Sequence, residues 1–235
     1  MSPVPEHPSG VKEPKAKTVP PVRFGGIQPR KGEATRERIL AIAEASVLAK
    51  GFGATSIDEV IAEAGLTKSG FFYHFRDKNE LAREMLRRYV ASDEAVFDAA
   101  FDRGRDLADD PPQAFLIGLK LLADVMHDLP SGHPGCLVAS VCYQERLFDR
   151  EVCEINRQAV ERWNSRFLGY LQDIAAATPP REPVDLDDLA HMLAGVLAGV
   201  LEGGIILGKV LGKPDELERQ ILTFRLLVRA LFSRA

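Results

Sequence analysis

The chain has 235 residues, of which 46% are hydrophobic and 27% charged, values that are ordinary for a water-soluble globular protein. Aromatic residues make up only 7%, whereas Ala and Leu are abundant, which favours helices over strands. Residues 1–31 contain no apolar segment typical of a signal peptide, and the longest apolar run, Met192 to Leu201, is too short to span a bilayer. Three cysteines, an odd number, indicate reduced thiols, and we expect a cytoplasmic protein that does not enter a membrane.

The charge is unevenly distributed along the chain. Residues 1–90 hold 15 Lys and Arg against 11 Asp and Glu, a net charge of +4, whereas residues 91–235 hold 15 against 23, a net charge of −8. A basic N-terminal part joined to an acidic remainder fits a head that binds a polyanion and a body that stays away from it. Statistical scatter is an equally good explanation when charge is considered alone.

The N-terminal segment 1–32 is rich in Pro, Lys and Gly and has no apolar periodicity, so we expect it to be disordered. Its basic residues could form an arm that follows a DNA backbone, or the segment could be a solvated leader without a specific role. The basic residues in question are Lys12, Lys15, Lys17, Arg23, Arg30 and Lys31.

Beyond this leader, helical patterns follow one another and no segment shows sustained period-2 alternation, which predicts an all-α fold with about nine helices. The sequence Ser56-Ile57-Asp58-Glu59 is a capping box, and Asp110-Pro111-Pro112 is a helix start with proline at the first helical positions. We expect helices over residues 35–50, 56–64, 67–75, 77 to beyond 89, 110–128, 136–147, 149–177, 185–211 and 216–233.

Residues 56–75 have the pattern of a helix-turn-helix. Gly65 can adopt the left-handed conformation that a tight turn needs, and Phe71 and Phe75 lie one turn apart, where both can anchor the second helix in a core. The outward residues are small, polar or basic, which suits contacts to base edges and phosphates in a major groove. Any helical hairpin needs a glycine turn and buried apolar residues, but a basic, hydroxyl-rich first turn beside Tyr-His favours DNA binding. The outward residues are Thr67, Lys68, Ser69, Gly70, Tyr73 and His74.

At these positions the sequence resembles the tetracycline-repressor (TetR) family. The resemblance covers about residues 33–93 and rests on residues 35–40, Gly51-Phe52 with Thr55-Ser56, residues 64–75, and Lys78 with Glu80-Leu81. It implies a DNA-binding domain over residues 33–93 and an effector-binding and dimerisation domain over residues 94–235. It further implies a transcriptional repressor that leaves a palindromic operator when a small molecule binds.

The resemblance also implies roles for individual residues. Lys68, Ser69, Gly70, Tyr73 and His74 are expected to face the major groove, whereas Thr55, Ser56, Tyr73 and Lys78 are expected to hold phosphates. Arg76 is an additional candidate for a phosphate contact. Phosphate contacts set register and affinity, so Lys68 and Ser69 are the better candidates for reading bases.

Glycines recur on one face of the predicted helix 185–211. Gly195, Gly199 and Gly203 are four residues apart, and Gly204, Gly208 and Gly212 follow them. A bare backbone on one face allows a second helix to approach closely. We expect this helix and the last one, through Phe224, Leu227 and Leu231, to form a dimer interface of four helices that matches a two-fold operator. The alternative is that these glycines pack against the chain's own body.

Apolar residues at helical spacing in the middle helices are candidates for lining an effector pocket, although such a stripe is more often plain core. They are Phe115, Leu119, Leu122, Met126, Trp163, Phe167 and Tyr170.

The local sequence Gly135-Cys136-Leu137 resembles family branches in which this triplet opens a core helix, including some regulators of reactive carbonyl metabolites. A thiol in a first turn near His133 would have a lowered pKa and could react with electrophiles, so Cys136 is an alternative sensor inside the pocket. The other interpretation is that Cys136, Cys142 and Cys153 are small buried apolar residues.

Two rival classes remain, an enzyme and a helical adaptor without DNA binding. The sequence has no nucleophile elbow, phosphate-binding loop, zinc-protease helix or dinucleotide-binding glycine motif, so we expect no enzyme and no cofactor. His74 has no neighbour with metal-ligand spacing, so we expect no metal. The basic recognition helix and the charge distribution argue against the adaptor.

Overall fold

A computed structural model describes residues 31–180 and 185–232. Within these ranges the fold is all-α, as expected, with nine α-helices, one short 3₁₀ helix and no strand. Five of the six candidate residues of the basic arm, Lys12 to Arg30, lie outside the described residues, and the arm stays a prediction. The sixth, Lys31, begins the first helix.

The helices follow the expected order with small shifts at their ends. They are α1 (Lys31–Lys50), α2 (Ile57–Glu63), α3 (Lys68–His74), α4 (Lys78–Leu107), α5 (Pro111–His127), α6 (Leu137–Tyr143), α7 (Arg150–Ala177), α8 (Leu186–Leu211) and α9 (Glu216–Phe232).

The clearest difference lies in the predicted helix 136–147, which divides into α6 and a 3₁₀ helix, Glu145–Leu147. The division falls at Gln144, where the backbone leaves the helical conformation. The Gln144 side chain there accepts a hydrogen bond from the Gly53 backbone N–H. A contact with a distant part of the chain therefore accompanies the break.

The helix starts are fixed by side chains that accept hydrogen bonds from free backbone N–H groups. Asp77, Asp110, Asp149 and Asp185 are N-caps of α4, α5, α7 and α8, and both hydrogen bonds of the Ser56 capping box are present at the start of α2. A cap of this kind contributes about 0.5–2 kcal/mol. These local signals explain why the starts could be predicted from sequence.

The buried side chains form two hydrophobic cores that share α4. The first half of α4 packs with α1, α2, α3, α6 and the start of α7, whereas its second half packs with α5, α8, α9 and the rest of α7. Val90 is the last α4 residue of the first core and Phe97 the first buried α4 residue of the second. The domain boundary predicted at residues 93 and 94 thus falls inside a continuous helix, between the two cores.

Among the described residues, α8 is the one helix long and apolar enough to cross a membrane, with a mean hydropathy of 1.8 over its most apolar window. The prediction that no segment is long enough to span a bilayer took into account only the uninterrupted apolar run before Glu202. Core helices of soluble proteins pass the same test, and one face of α8 is packed within the second core through Ala190, Leu193, Ala194 and Leu197.

We predict that Gly104→Ala lowers the free energy of unfolding by about 1–3 kcal/mol, because α4 and α5 approach closely at this residue. A Cβ at Gly104 would lie 2.4 Å from the Ala114 carbonyl oxygen, a backbone atom that cannot move independently. Urea denaturation at fixed protein concentration measures the change. Gly169→Ala in α7 is the control: nothing lies within 4 Å of its Cβ position, so it should stabilise by about 0.5–1 kcal/mol. Equal effects of the two substitutions would contradict this packing.

Candidate DNA-binding surface and internal cavity

The turn between α2 and α3 has the geometry that its sequence predicts. Gly65 adopts a left-handed conformation with φ of 63°, and Thr67 caps α3 by accepting a hydrogen bond from the Gly70 N–H at 3.2 Å. A Cβ at Gly70 would lie 3.3 Å from the Thr67 hydroxyl oxygen, which is tighter than usual. A small residue at this position therefore keeps the cap intact.

Helix α3 separates its residues into a buried and an exposed face. Phe71 and Phe75 are buried in the first core, whereas Lys68, Ser69 and Tyr73 are exposed, Tyr73 with 84% of its surface accessible. The half-buried His74 lies beside Tyr73, with its ring perpendicular to the tyrosine ring. The exposed face carries the residues that sequence identified, and it also carries Phe72, which sequence did not identify as exposed.

The exposed polar side chains of this surface form only weak interactions within the protein or keep a hydrogen-bond donor free for DNA. Lys68 Nζ lies 3.8 Å from an Asp58 carboxylate oxygen, and both side chains are more than two-thirds exposed, so the pair contributes little. The Ser69 and Thr67 hydroxyl groups are 3.1 Å apart. The Ser56 hydroxyl accepts its capping bond from the Glu59 N–H, which leaves its own O–H free to donate to a phosphate.

Two predicted phosphate contacts have other partners inside the protein. Thr55 is buried, and its hydroxyl donates to the Gly51 carbonyl, so its burial does not agree with the predicted phosphate contact. Lys78 Nζ donates to the Phe52 carbonyl at 2.7 Å and lies 4.3 Å from the centre of the Phe52 ring. Partial burial lowers the pKa of Lys78. Both side chains hold the loop between α1 and α2 in place.

A cavity of about 480 Å³ lies among α4, α5, α6, α7 and α8. Of the residues predicted to line a pocket, Met126, Cys136, Trp163 and Phe167 line this cavity. The four other candidates, Phe115, Leu119, Leu122 and Tyr170, do not line it. Phe115 and Tyr170 line a second, smaller cavity, and Leu119, like Leu122, is completely buried in the core, because its side of α5 faces α4 and α9.

The cavity also contains polar groups that sequence reasoning missed. Asp93 and Glu202 line it, and burial raises the pKa of Asp93 to about 7. Burial, followed by the charge of Lys209, lowers the pKa of His133 to about 4, so this imidazole is neutral near pH 7. The interruption of the apolar run by Glu202 was the one sequence signal of such a site, whereas nothing in the sequence distinguishes Asp93 from other α4 carboxylates.

Cys136 caps α6 and is not an activated thiol. Its sulfur accepts a hydrogen bond from the Ala139 N–H at 3.4 Å. Burial, and after it the Glu202 carboxylate, raises the pKa of Cys136 to about 12. The expectation of a lowered pKa was therefore wrong, because the neutral His133 supplies no positive charge. The interpretation of all three cysteines as small buried apolar residues holds only in part, since Cys142 is exposed and Cys153 is half-buried.

The glycines of α8 divide between two faces. Gly195, Gly199 and Gly203 have nothing within 4 Å of their Cβ positions, whereas the Cβ position of Gly204 lies 2.9 Å from the Leu217 Cα at the start of α9. Gly208 likewise approaches the Lys213 carbonyl, and Gly212 ends α8 in a left-handed conformation. The alternative interpretation, packing against the chain's own body, therefore holds for Gly204 and Gly208, whereas the place of Gly195, Gly199 and Gly203 in a dimer interface stays a prediction.

Only part of the α9 side that was expected to face a partner subunit is exposed. Phe224, predicted to lie in the dimer interface, is buried in the second core, and Leu231 is half-buried against that core. This occurs because α9 packs its Phe224 side against both α5 and α8. Leu227 is exposed, as the prediction requires, together with its neighbour Leu226.

Comparisons with known proteins agree with this arrangement. Residues 39–85 match the family model described as bacterial regulatory proteins, tetR family, so this part of the chain is similar to that family. A curated relative, the uncharacterized HTH-type transcriptional regulator YerO from Bacillus subtilis, is 31% identical over 81 residues. The match covers 34% of this chain, and the chain spans about a quarter of that relative's length.

Solved structures resemble the whole fold. A TetR transcriptional regulator from Chloroflexus aurantiacus matches with a TM-score of 0.70 and 22% identity, over 86% of this chain and 98% of that one. The reduced form of E. coli NemR matches with a TM-score of 0.64 and 17% identity, over 85% of this chain and all of the other. At these identities the similarity shows the fold alone.

We predict that Cys142 reacts with iodoacetamide at pH 8 well before Cys136, because Cys142 is exposed whereas the raised pKa of Cys136 leaves very little thiolate. Mass spectrometry of peptides after timed alkylation gives the order of modification. Unfolding in urea is the control and should make the two rates similar. Preferential labelling of Cys136 in the folded protein would contradict the assignment and restore the sensor interpretation.

Proposed function

We propose that the chain is a cytoplasmic, sequence-specific DNA-binding regulator that acts as a homodimer on a palindromic operator. The observation that supports this most directly is the structure of α3, which is anchored by Phe71 and Phe75 while it exposes Lys68, Ser69 and Tyr73. A lysine at the start of such a helix can donate to guanine acceptor atoms in the major groove. The match of residues 39–85 to the TetR family model supports the same conclusion.

The proposed dimer uses the outward faces of α8 and α9. On α8, Met192, Val196, Ile206 and Val210 are exposed, and they share a face with Gly195, Gly199 and Gly203. On α9, Leu226 and Leu227 are exposed in the same way. Contiguous apolar surface of this kind marks an interaction site, and a two-fold operator requires two copies of the DNA-binding helix.

We further propose that a small molecule in the cavity releases the regulator from DNA, which makes it a repressor. Helix α6 lines the cavity, and the residue after it, Gln144, accepts a hydrogen bond from the Gly53 N–H in the loop before α2. On the other side, Lys209 of α8 donates to the carbonyls of Leu48 in α1 and of Pro134 at the cavity. A ligand that moves α6 or α8 therefore acts on the elements that position α2 and α3.

The alternative of electrophile sensing through Cys136 is less well supported, because its thiol is buried and its pKa is raised. Nothing in the cavity supplies the positive charge that would activate it near pH 7.

We predict that Lys68→Ala relaxes base preference at one position in each operator half-site, at a cost of about 1–3 kcal/mol of discrimination. Operators are first selected from genomic DNA with the purified protein. Fluorescence anisotropy with operator and random duplexes, over a range of salt concentrations, then gives both affinities. Lys213→Ala, an exposed lysine in the turn between α8 and α9, is the matched control and should bind as the wild type does. If Lys68→Ala retains full discrimination, α3 does not read the bases.

We predict that Gly199→Leu weakens the dimer by a factor of about 5 to 150, because a leucine on the outward face of α8 would keep the partner helix away at a cost of about 1–3 kcal/mol. Sedimentation equilibrium measures the dissociation constant. Gly169→Leu is the matched control, since it also replaces a helical glycine with open space around it. A Gly199→Leu protein that dimerises like the control would show that α8 does not form the interface.

A further inference from the structure

We propose that the cavity binds an amphipathic organic cation, with an apolar body and a protonated nitrogen at one end. This inference rests on the proposed function only in taking the cavity as the effector site. It follows from the chemistry of the lining residues, which combine a large apolar surface with acidic groups.

The apolar part of the cavity suits a hydrocarbon or aromatic body. Phe97 and Trp163 meet with their rings perpendicular, as do Phe97 and Phe167, so aromatic edges and faces form one wall. Three exposed apolar side chains, Val125 of α5, Tyr143 of α6 and Val160 of α7, lie among the lining residues and mark where the cavity opens to solvent. An apolar molecule can therefore enter along an apolar rim.

The charged groups of the cavity all have the same sign. Asp93 and Glu202 are its carboxylates, and neither forms an ion pair with Lys or Arg among the described residues. No Lys or Arg is part of the lining, and His133 is neutral near pH 7. Charges in a largely apolar site are normally paired, so these carboxylates favour a cationic group on the ligand. An anionic ligand would meet repulsion from the same groups.

Two further polar atoms lack a partner. Asn156 Oδ1 and Trp163 Nε1 are buried, belong to lining residues, and have no hydrogen-bond partner in the structure. Buried polar atoms without partners are rare, and a ligand is one of the explanations. An ammonium group can donate to Asn156 Oδ1, and the face of the Trp163 ring attracts a cation. The Trp163 Nε1–H is itself a donor, so it requires an acceptor and does not distinguish a cation from other ligands.

The raised pKa of Cys136 agrees with the negative charge of the cavity. Besides burial, the nearby charges of Glu202 and Asp93 raise the pKa of its thiol. The groups that disfavour a thiolate in this cavity also favour a cation. One electrostatic property therefore accounts for an inert cysteine and for the proposed ligand class.

The test compares decylammonium, decanol and decanoate, which have the same number of carbon atoms and differ in the charge of the polar group. Each is titrated into the full-length protein without DNA, below its micelle concentration. Trp163, the single tryptophan of the chain, lines the cavity, so its fluorescence reports binding directly, and calorimetry gives the affinity. We expect decylammonium to bind at least about tenfold more tightly than decanol, as a hydrogen bond to a charged group implies, and decanoate to bind weakest.

Substitutions then locate the charge. Asp93→Asn and Glu202→Gln should each reduce the preference for decylammonium over decanol, and together should lower it below about threefold. An unchanged affinity for decanol shows that the cavity is still folded. Asp188→Asn, an exposed carboxylate on the same helix as Glu202, removes the same charge outside the cavity and should leave the preference intact.

The pH dependence gives an independent readout. Because the pKa of Asp93 is about 7, the fraction of carboxylate rises between pH 6 and pH 8, and the affinity for decylammonium should rise by up to about tenfold. The Asp93→Asn variant should lose this dependence. The other titratable groups that act on Asp93 lie on α4 and α1 and ahead of α6, and they are Tyr89, Glu94, Glu44 and Cys136.

The proposal is wrong if decanol or decanoate binds as tightly as decylammonium, if none of the three binds, or if the double variant keeps the preference. DNA binding is measured separately on the ligand-free protein. A protein that binds operator DNA but shows no cation preference contradicts this inference alone. A protein that prefers the cation but does not bind DNA contradicts the proposed function alone.

Discussion

The sharing of α4 between two hydrophobic cores is the constraint on which the rest of the structure depends. Its 30 residues form a rod of about 45 Å, whose first half completes the core beneath α3 and whose second half forms one wall of the cavity. Leu81 and Leu86 are almost completely buried at one end and Phe101 at the other. A helix packed so closely at both ends connects the cavity directly with the core beneath α3.

A second connection runs through the loop between α1 and α2. Lys78 at the start of α4 donates to the Phe52 carbonyl, and Gln144 after α6 accepts from the neighbouring Gly53 N–H. The same loop is thus held by α4 and by the end of α6, and Thr55 secures it from within. Ion pairs between Arg83 and Asp149, and between Arg87 and Glu151, link α4 to the start of α7 beside it. The DNA-binding helices therefore sit on elements whose other ends line the cavity.

The order of the helices could be predicted because their starts are encoded locally. The capping aspartates, the Ser56 capping box and Gly65 act within a few residues, and the resemblance around residues 64–75 identified the exposed side of α3. The outward side of α9 could not be predicted in this way. Phe224 and Leu227 are both apolar and three residues apart, and only packing against α5 and α8 decides which of them is buried.

The cavity was harder to predict for a related reason. Apolar stripes on α5 and α7 look the same whether they fill a core, as Leu119 does, or face an empty volume, as Trp163 does. Asp93 and Glu202 are distant in sequence and line the same cavity only because α4 and α8 both border it. Thr55 and Lys78 show the same limit at the DNA-binding surface, since a polar residue suited to a phosphate is equally suited to hold a loop.

Carboxylates that lack a cationic partner in a largely apolar cavity lower the stability of the ligand-free protein, and the raised pKa of Asp93 is the physical sign of that cost. A bound cation would remove this loss of stability, but that alone would not change the affinity for DNA. A ligand shifts an equilibrium only by the difference in its affinity for the two conformations. Under the proposed function, the contacts that can create such a difference lie on α6 and α8. Both helices line the cavity; Gln144 after α6 accepts a hydrogen bond from the loop before α2, and Lys209 of α8 donates to the Leu48 carbonyl in α1. Under the proposed function, a cation that displaces neither α6 nor α8 would bind without releasing DNA, whereas one long enough to displace either helix would also change the affinity for DNA.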